Sequence, residues 1–150
     1  MTPELQKIKT RFDSQVKIYE QTYNDTIDSV SLDGVLLKEA LKNQIDLQLA
    51  WEVIVKRINK TYELCELEAE SAYAAAVSAE LKNAYKTVSI TEAKEFAKVD
   101  QDYQESRRLL IDIREIRDEA KGILSAIESR KYILNNITNS VVASVENHII

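Results

Sequence analysis

Apolar residues recur at steps of three and four along almost the whole chain. The first run is Leu5, Ile8, Phe12, Val16, Tyr19, Tyr23, Ile27 and Val30. That spacing marks one face of a helix and predicts one over about residues 4–31. Pro3 sits at or just before its first turn, where a missing N–H removes nothing. Ser31-Leu32-Asp33-Gly34 ends it, because Asp-Gly is a strong turn signal. A second seam reads Leu37, Leu41, Gln44, Leu47, Trp51, Ile54, Ile58, Tyr62, Cys65, Ala69, Ala72, Ala76 and Ala79. It predicts a helix over about 35–87. Two readings of its alanine-rich end are open: small residues let a second helix approach closely, or alanine simply favours helix.

The third segment starts at Ser89-Ile90-Thr91-Glu92, which has capping-box spacing with Thr91 as the competing cap. It is predicted to run over about 90–148. Its seam is Leu109, Ile113, Ile116, Ala120, Ile123, Ile127, Leu134, Ile137, Val141 and Val145, the alternation of a coiled coil. Gly122 interrupts the helix interior at roughly 1 kcal/mol against alanine. The weakly helical stretch through Asn135-Asn136 and Thr138-Asn139-Ser140 is the expected place for a bend or a stop. The fold expected is therefore all-α: three helical segments in a single domain over 1–150, two of them long, with coiled-coil-like packing in a homo-oligomer. Two segments of about 50 residues far exceed the globular mean of about 11–12. Their stripes call for partner helices, and self-association is expected through Ile127, Arg130, Leu134, Ile137, Val141 and Val145.

Composition narrows the chemistry. Only 2 glycines and 1 proline occur in 150 residues, which excludes the turn-rich sandwiches, barrels and doubly wound sheets. One histidine, one cysteine and no glycine-rich loop leave no zinc site, nucleophile pair, P-loop or dinucleotide fingerprint. The chain is expected to be non-enzymatic, without cofactor or metal. Met1-Thr2-Pro3-Glu4 carries no apolar leader, and no run of 18 apolar residues is present. Cys65 is unpaired in sequence, which fits a reducing cytoplasm.

Net charge is −5, unevenly spread. Residues 1–81 hold 9 Lys and Arg against 14 Asp and Glu, whereas 82–150 hold 11 of each. Arg107, Arg114 and Lys121 are seven apart and share a helical stripe, flanked by Arg108 and Arg117. Such a stripe can offer guanidinium groups to successive phosphates. Glu105, Asp112, Glu115, Asp118 and Glu119 interleave, so a solvated, salt-bridged face is the competing reading. Lys56, Arg57 and Lys60 beside Tyr62 form a second basic-aromatic cluster. Arg130, next to Lys131, falls on a seam position that should be apolar. Either it has a carboxylate, phosphate or carbonyl partner at an interface, or the register slips onto Ile133 and leaves it at a rim.

Four short blocks carry a resemblance. They are Tyr85-Lys86-Thr87-Val88, Ala97-Lys98-Val99-Asp100, Leu109-Leu110-Ile111-Asp112 and Ala126-Ile127-Glu128-Ser129-Arg130. Over roughly residues 85–135 the chain resembles the T4-type phage recombination mediator family (UvsY-like). The family's mid-chain basic motif has a loose counterpart in Lys56-Arg57-Ile58. The resemblance implies a small helical protein that forms a ring and binds single-stranded DNA. It would help load a recombinase onto strands coated by single-strand-binding protein, in the cytoplasm of an infected bacterium. Lys86 joins the candidate DNA-binding residues through its block. The alternative function is a helical structural or adaptor protein that binds only other proteins.

Overall fold

In a computed structural model, the residues described are 1–30, 35–83 and 87–148, with the side chains of 146–148 excepted. All the regular structure among them is helical. The helices are α1 (Pro3–Ser29), α2 (Leu37–Leu81), α3 (Ile90–Ala97) and α4 (Gln101–His148). The first expected turn, Ser31–Gly34, lies outside the described residues, as do Tyr85 and Lys86 of the second break and Ile149-Ile150. The end of α1 and the starts of α2 and α3 fall within about two residues of the turn and cap signals, whereas α2 ends at Leu81, short of the expected 87.

The third segment is two helices rather than one. Ser89 caps α3 with extended backbone (φ −71°, ψ 161°), its hydroxyl accepting from the Glu92 amide at 3.2 Å. Ser89, not Thr91, is thus the cap. The chain then breaks at Lys98-Val99-Asp100. The amides of Val99 and Asp100 close tight turns onto the carbonyls of Phe96 and Ala97, at 3.2 Å each. Asp100 starts α4: its Oδ2 accepts from the Tyr103 amide at 3.0 Å, satisfying one of the orphan donors of a helix start. Without glycine or proline, this break has no sequence signal except an aspartate directly before a helical run.

No interruption occurs at 135–140. Helix α4 runs through, and its polar side chains are absorbed by the backbone. Thr138 Oγ1 donates to the Leu134 carbonyl at 2.9 Å, and Ser140 Oγ to that of Asn136 at 3.0 Å.

The chain divides into two compact units: Met1–Val16 with Arg57–Arg117, and Lys17–Lys56 with Asp118–Ile150. In the first unit the core is Leu5, Phe12, Ile58, Cys65, Ala69, Ala93, Ala97, Leu109 and Ile113. These are seam positions of α1, α2 and α4, joined by the small buried side of α3. Cys65 is a free thiol here, and burial, then the carboxylates of Glu68 and Glu66, push its pKa up to about 11. In the second unit the core is Tyr19, Ala40, Leu47, Trp51, Ile54, Ala120, Ile127 and Leu134. Trp51 is fully buried. Its indole N–H donates to Thr26 Oγ1 at 2.9 Å, and that hydroxyl donates to the Thr22 carbonyl at 2.6 Å. The Tyr19 ring stands edge-on to the indole, with centroids 5.6 Å apart. One threonine hydroxyl therefore satisfies the only polar atom of the largest core side chain.

Replacing Thr26 with valine keeps the volume but strands that N–H. Thr26→Val is expected to lower stability by about 1–3 kcal/mol, read from the urea midpoint. Thr10→Val, which removes an exposed hydroxyl bonded to the Gln6 carbonyl, should stay within about 0.5 kcal/mol of the parent.

Candidate nucleic-acid interface

Six of the candidate cations belong to the first unit: Arg57 and Lys60 on α2, and Arg107, Arg108, Arg114 and Arg117 on α4. Five of them are exposed and Arg117 is half-buried. Tyrosines position two of the arginines. The Arg117 guanidinium lies over the Tyr62 ring, 4.2 Å from its centroid. The Arg107 guanidinium lies 5.7 Å from the Tyr103 centroid and donates to the Tyr103 hydroxyl at 3.0 Å. Tyr103 is in turn held against Tyr73, with centroids 5.1 Å apart at 51°. Tyr62 is half-buried rather than a core residue, so it serves as a platform for a cation on the neighbouring helix.

Helical spacing then does the rest. Arg107 and Arg114 are two turns apart on one stripe, and Arg117 is one turn beyond Arg114. A cation–π contact outside a desolvated core is worth about 0.5–1 kcal/mol and orients the guanidinium plane along the ring. The result is a row of arginines whose end members have restricted side-chain freedom. Of the interleaved acids in this unit, Glu105 faces the Met1 amino group at 3.1 Å and accepts from Gln101 Nε2 at 3.1 Å. The Gln101 hydrogen bond, then the amino group, holds its carboxyl below the usual range.

The second unit holds Lys56, Lys121, Arg130 and Lys131. Lys56, Lys121 and Lys131 are exposed on their helices. Arg130 is not. It occupies the buried seam at 8% exposure, while Ile133 is 53% exposed. Its Nη1 donates to Gln44 Oε1 at 2.8 Å, and Gln44 Nε2 donates to the Ile127 carbonyl at 2.7 Å. Nε and Nη2 are buried without a hydrogen-bond partner. Desolvation pulls the guanidinium pKa below the usual arginine value. The partner is a neutral amide, not a carboxylate. Gln44 is the residue that sequence reasoning left without a role, although it was the one polar member of the α2 seam. Two polar residues on two facing apolar seams were the available signal.

The interface candidates divide the same way. Ile127 and Leu134 are 2% and 1% exposed within the single chain. Ile137, Val141 and Val145 are 39%, 49% and 54% exposed and, with Ile133, line an open groove along α4. Lys86 lies outside the described residues. Among the described residues no group of three or more His, Cys, Asp or Glu is placed to hold a metal ion, and no helix is long and apolar enough to cross a membrane.

Comparison with protein-family models, curated proteins and solved structures finds no match to this chain.

The Arg130–Gln44 pair generates a stability test. Gln44→Leu leaves a buried guanidinium with no side-chain partner and is expected to cost about 3–5 kcal/mol. Adding Arg130→Met replaces both polar groups with apolar volume, and the double variant should return to the parent stability or exceed it. Urea denaturation of the two variants reads this directly.

Proposed function

We propose that this chain is a non-enzymatic recombination mediator that self-associates and binds single-stranded DNA along the arginines of α4. The observation that carries the reading is the seating of Arg107 on Tyr103 and of Arg117 on Tyr62, with exposed Arg114 between them on the same helix. Guanidinium groups spaced along one helix suit a phosphate chain better than a folded surface, because each meets a separate phosphate without base recognition. The resemblance of residues 85–135 to the phage mediator family supplies the biological role: loading a recombinase onto strands coated by single-strand-binding protein.

One chain offers few cations and is acidic overall, at −5. A single copy would bind DNA weakly. Self-association repeats the arginine row, and linked sites act at high effective concentration, so affinity comes from the assembly. The open α4 groove of Ile133, Ile137, Val141 and Val145 is the surface proposed for it. A second reading, an adaptor for other proteins only, is favoured by that same groove. Residues 132–145 contain no charged side chain and offer nothing to a phosphate.

Fluorescence anisotropy of a labelled oligonucleotide across a salt series separates the two. A mediator binds without sequence preference, and its affinity falls by roughly 0.7 log units per phosphate neutralised for each tenfold rise in salt. The Arg107→Ala, Arg114→Ala, Arg117→Ala triple variant should bind more weakly and with a shallower slope. No binding by the assembled parent at low salt, or a triple variant with unchanged affinity and slope, moves the function to the protein-only adaptor.

A further inference from the structure

The groove between α1 and α4 of the second unit has the opposite chemistry to the arginine row. Its α1 wall carries Tyr19, Glu20 and Tyr23, and its α4 wall carries Glu119, Gly122 and Ala126, enclosing about 720 Å³. The Tyr19 and Tyr23 rings stack with centroids 6.3 Å apart at 21°. Tyr19 is buried against Trp51, whereas Tyr23 is 42% exposed. The Tyr19 hydroxyl donates to Glu119 Oε2 at 2.9 Å, which fixes that carboxylate at the edge of the rings. No lysine or arginine lines the groove. Among the described residues, neither Glu20 nor Glu119 forms an ion pair. Burial, then the hydrogen bond to Glu119 and its charge, push the Tyr19 pKa up to about 12.

Gly122 is an exposed position on the α4 wall of this groove. A glycine inside a helix costs roughly 1 kcal/mol against alanine. Among the described residues no atom would lie within 4 Å of a Cβ added there. The missing side chain leaves free space beside two rings and two carboxylates.

We infer that this groove docks an arginine side chain from a basic segment of a partner protein, its guanidinium against the Tyr23 ring and its N–H groups on Glu20 and Glu119. The chemistry selects that occupant. A planar guanidinium stacks on an aromatic face and forks onto a carboxylate at the same time. A nucleic-acid phosphate would meet two carboxylates and no cation. A wholly apolar helix would desolvate both carboxylates with no compensating bond. The site shares no residue with the arginine row and stands whether or not the chain binds DNA.

Trp51 is the chain's one tryptophan and packs edge-on to Tyr19, so it reports on the groove. The full chain is titrated at low salt with a short peptide bearing three arginines, and with the same peptide carrying neutral citrulline instead. Calorimetry measures the affinity and Trp51 emission the location. Two variants accompany it: Gly122→Leu adds bulk to the α4 wall, and Glu20→Gln removes an exposed carboxylate. The arginine peptide should bind saturably and shift Trp51 emission. The citrulline peptide and both variants should bind about tenfold more weakly, the loss expected from one cation–π contact with its ion pair. The inference is overturned by no binding, by equal binding of citrulline, by binding that leaves Trp51 unchanged, or by variants that bind as the parent does. If Gly122→Leu loses its helical circular dichroism, Glu20→Gln alone decides.

Discussion

The apolar seam of α4 is the constraint on which the structure depends. Leu109 and Ile113 in the first unit, then Ala120, Ile127 and Leu134 in the second, are all buried by other parts of the same chain. Each belongs to one row at coiled-coil spacing, so a shift of one residue in α4 would expose the row and bury charged neighbours. From Asn135 to Val145 the row continues, yet no residue is buried. Helix α4 therefore carries both core positions and an exposed apolar row. The covered length sets the fold, and the uncovered length leaves an apolar row exposed. Exposing Ile137, Val141 and Val145 to water is a standing loss of roughly 25 cal/mol for each square ångström of apolar surface left uncovered.

At the last covered turns the core is polar. Arg130 with Gln44 is an unfavourable choice for stability alone, because two guanidinium donors are buried unpaired. What the pair supplies is a distinguishable layer in an otherwise repetitive seam. The hydrogen bonds from Arg130 to Gln44 and from Gln44 to the Ile127 carbonyl form in only one alignment of α2 against α4 within the unit. An apolar layer would tolerate neighbouring alignments. The Trp51–Thr26 bond does the same between α2 and α1, at lower electrostatic cost because both groups are neutral.

Much of the fold was legible in the sequence, because helices leave a strong periodic signal and the chain carries few residues that break one. The seams of Leu5–Tyr19, Leu47–Ala69 and Leu109–Leu134 supply most of the core, although Ile8, Val16, Tyr62, Ile116 and Ile123 are only half-buried. The Lys98–Asp100 break was not legible. It is made by an aspartate cap and two tight turns, a pattern that also occurs within helical sequence. The dip in helix propensity at 135–140 was misleading, since Thr138 and Ser140 bond back to their own helix. At the candidate site, the basic stripe of Arg107, Arg114 and Arg117 was readable from spacing. The stacking of Arg117 on Tyr62 was not, because that depends on which residues of α2 and α4 come level, whereas Tyr103 stands four residues before Arg107 on α4 itself. Arg130 stood out as a seam residue, but only packing shows that an amide, not a carboxylate or a phosphate, meets it.

The function proposed for a chain with a buried core, an exposed apolar helix face and a short row of arginines is one that works by repetition. In that proposal each copy offers little binding energy, and assembly multiplies it. The central claim is that the uncovered seam of α4 is closed by a second copy. Sedimentation velocity of the full chain, with Val141→Asp beside it, tests that claim most directly. Val141 is exposed, so the aspartate leaves the folded chain intact while burying an unpaired charge in any interface built there. The account predicts a parent that sediments as an oligomer at micromolar concentration, and a variant that runs as a single chain with unchanged helical circular dichroism. A parent that remains a single chain across that range, or a variant that assembles as the parent does, would contradict it.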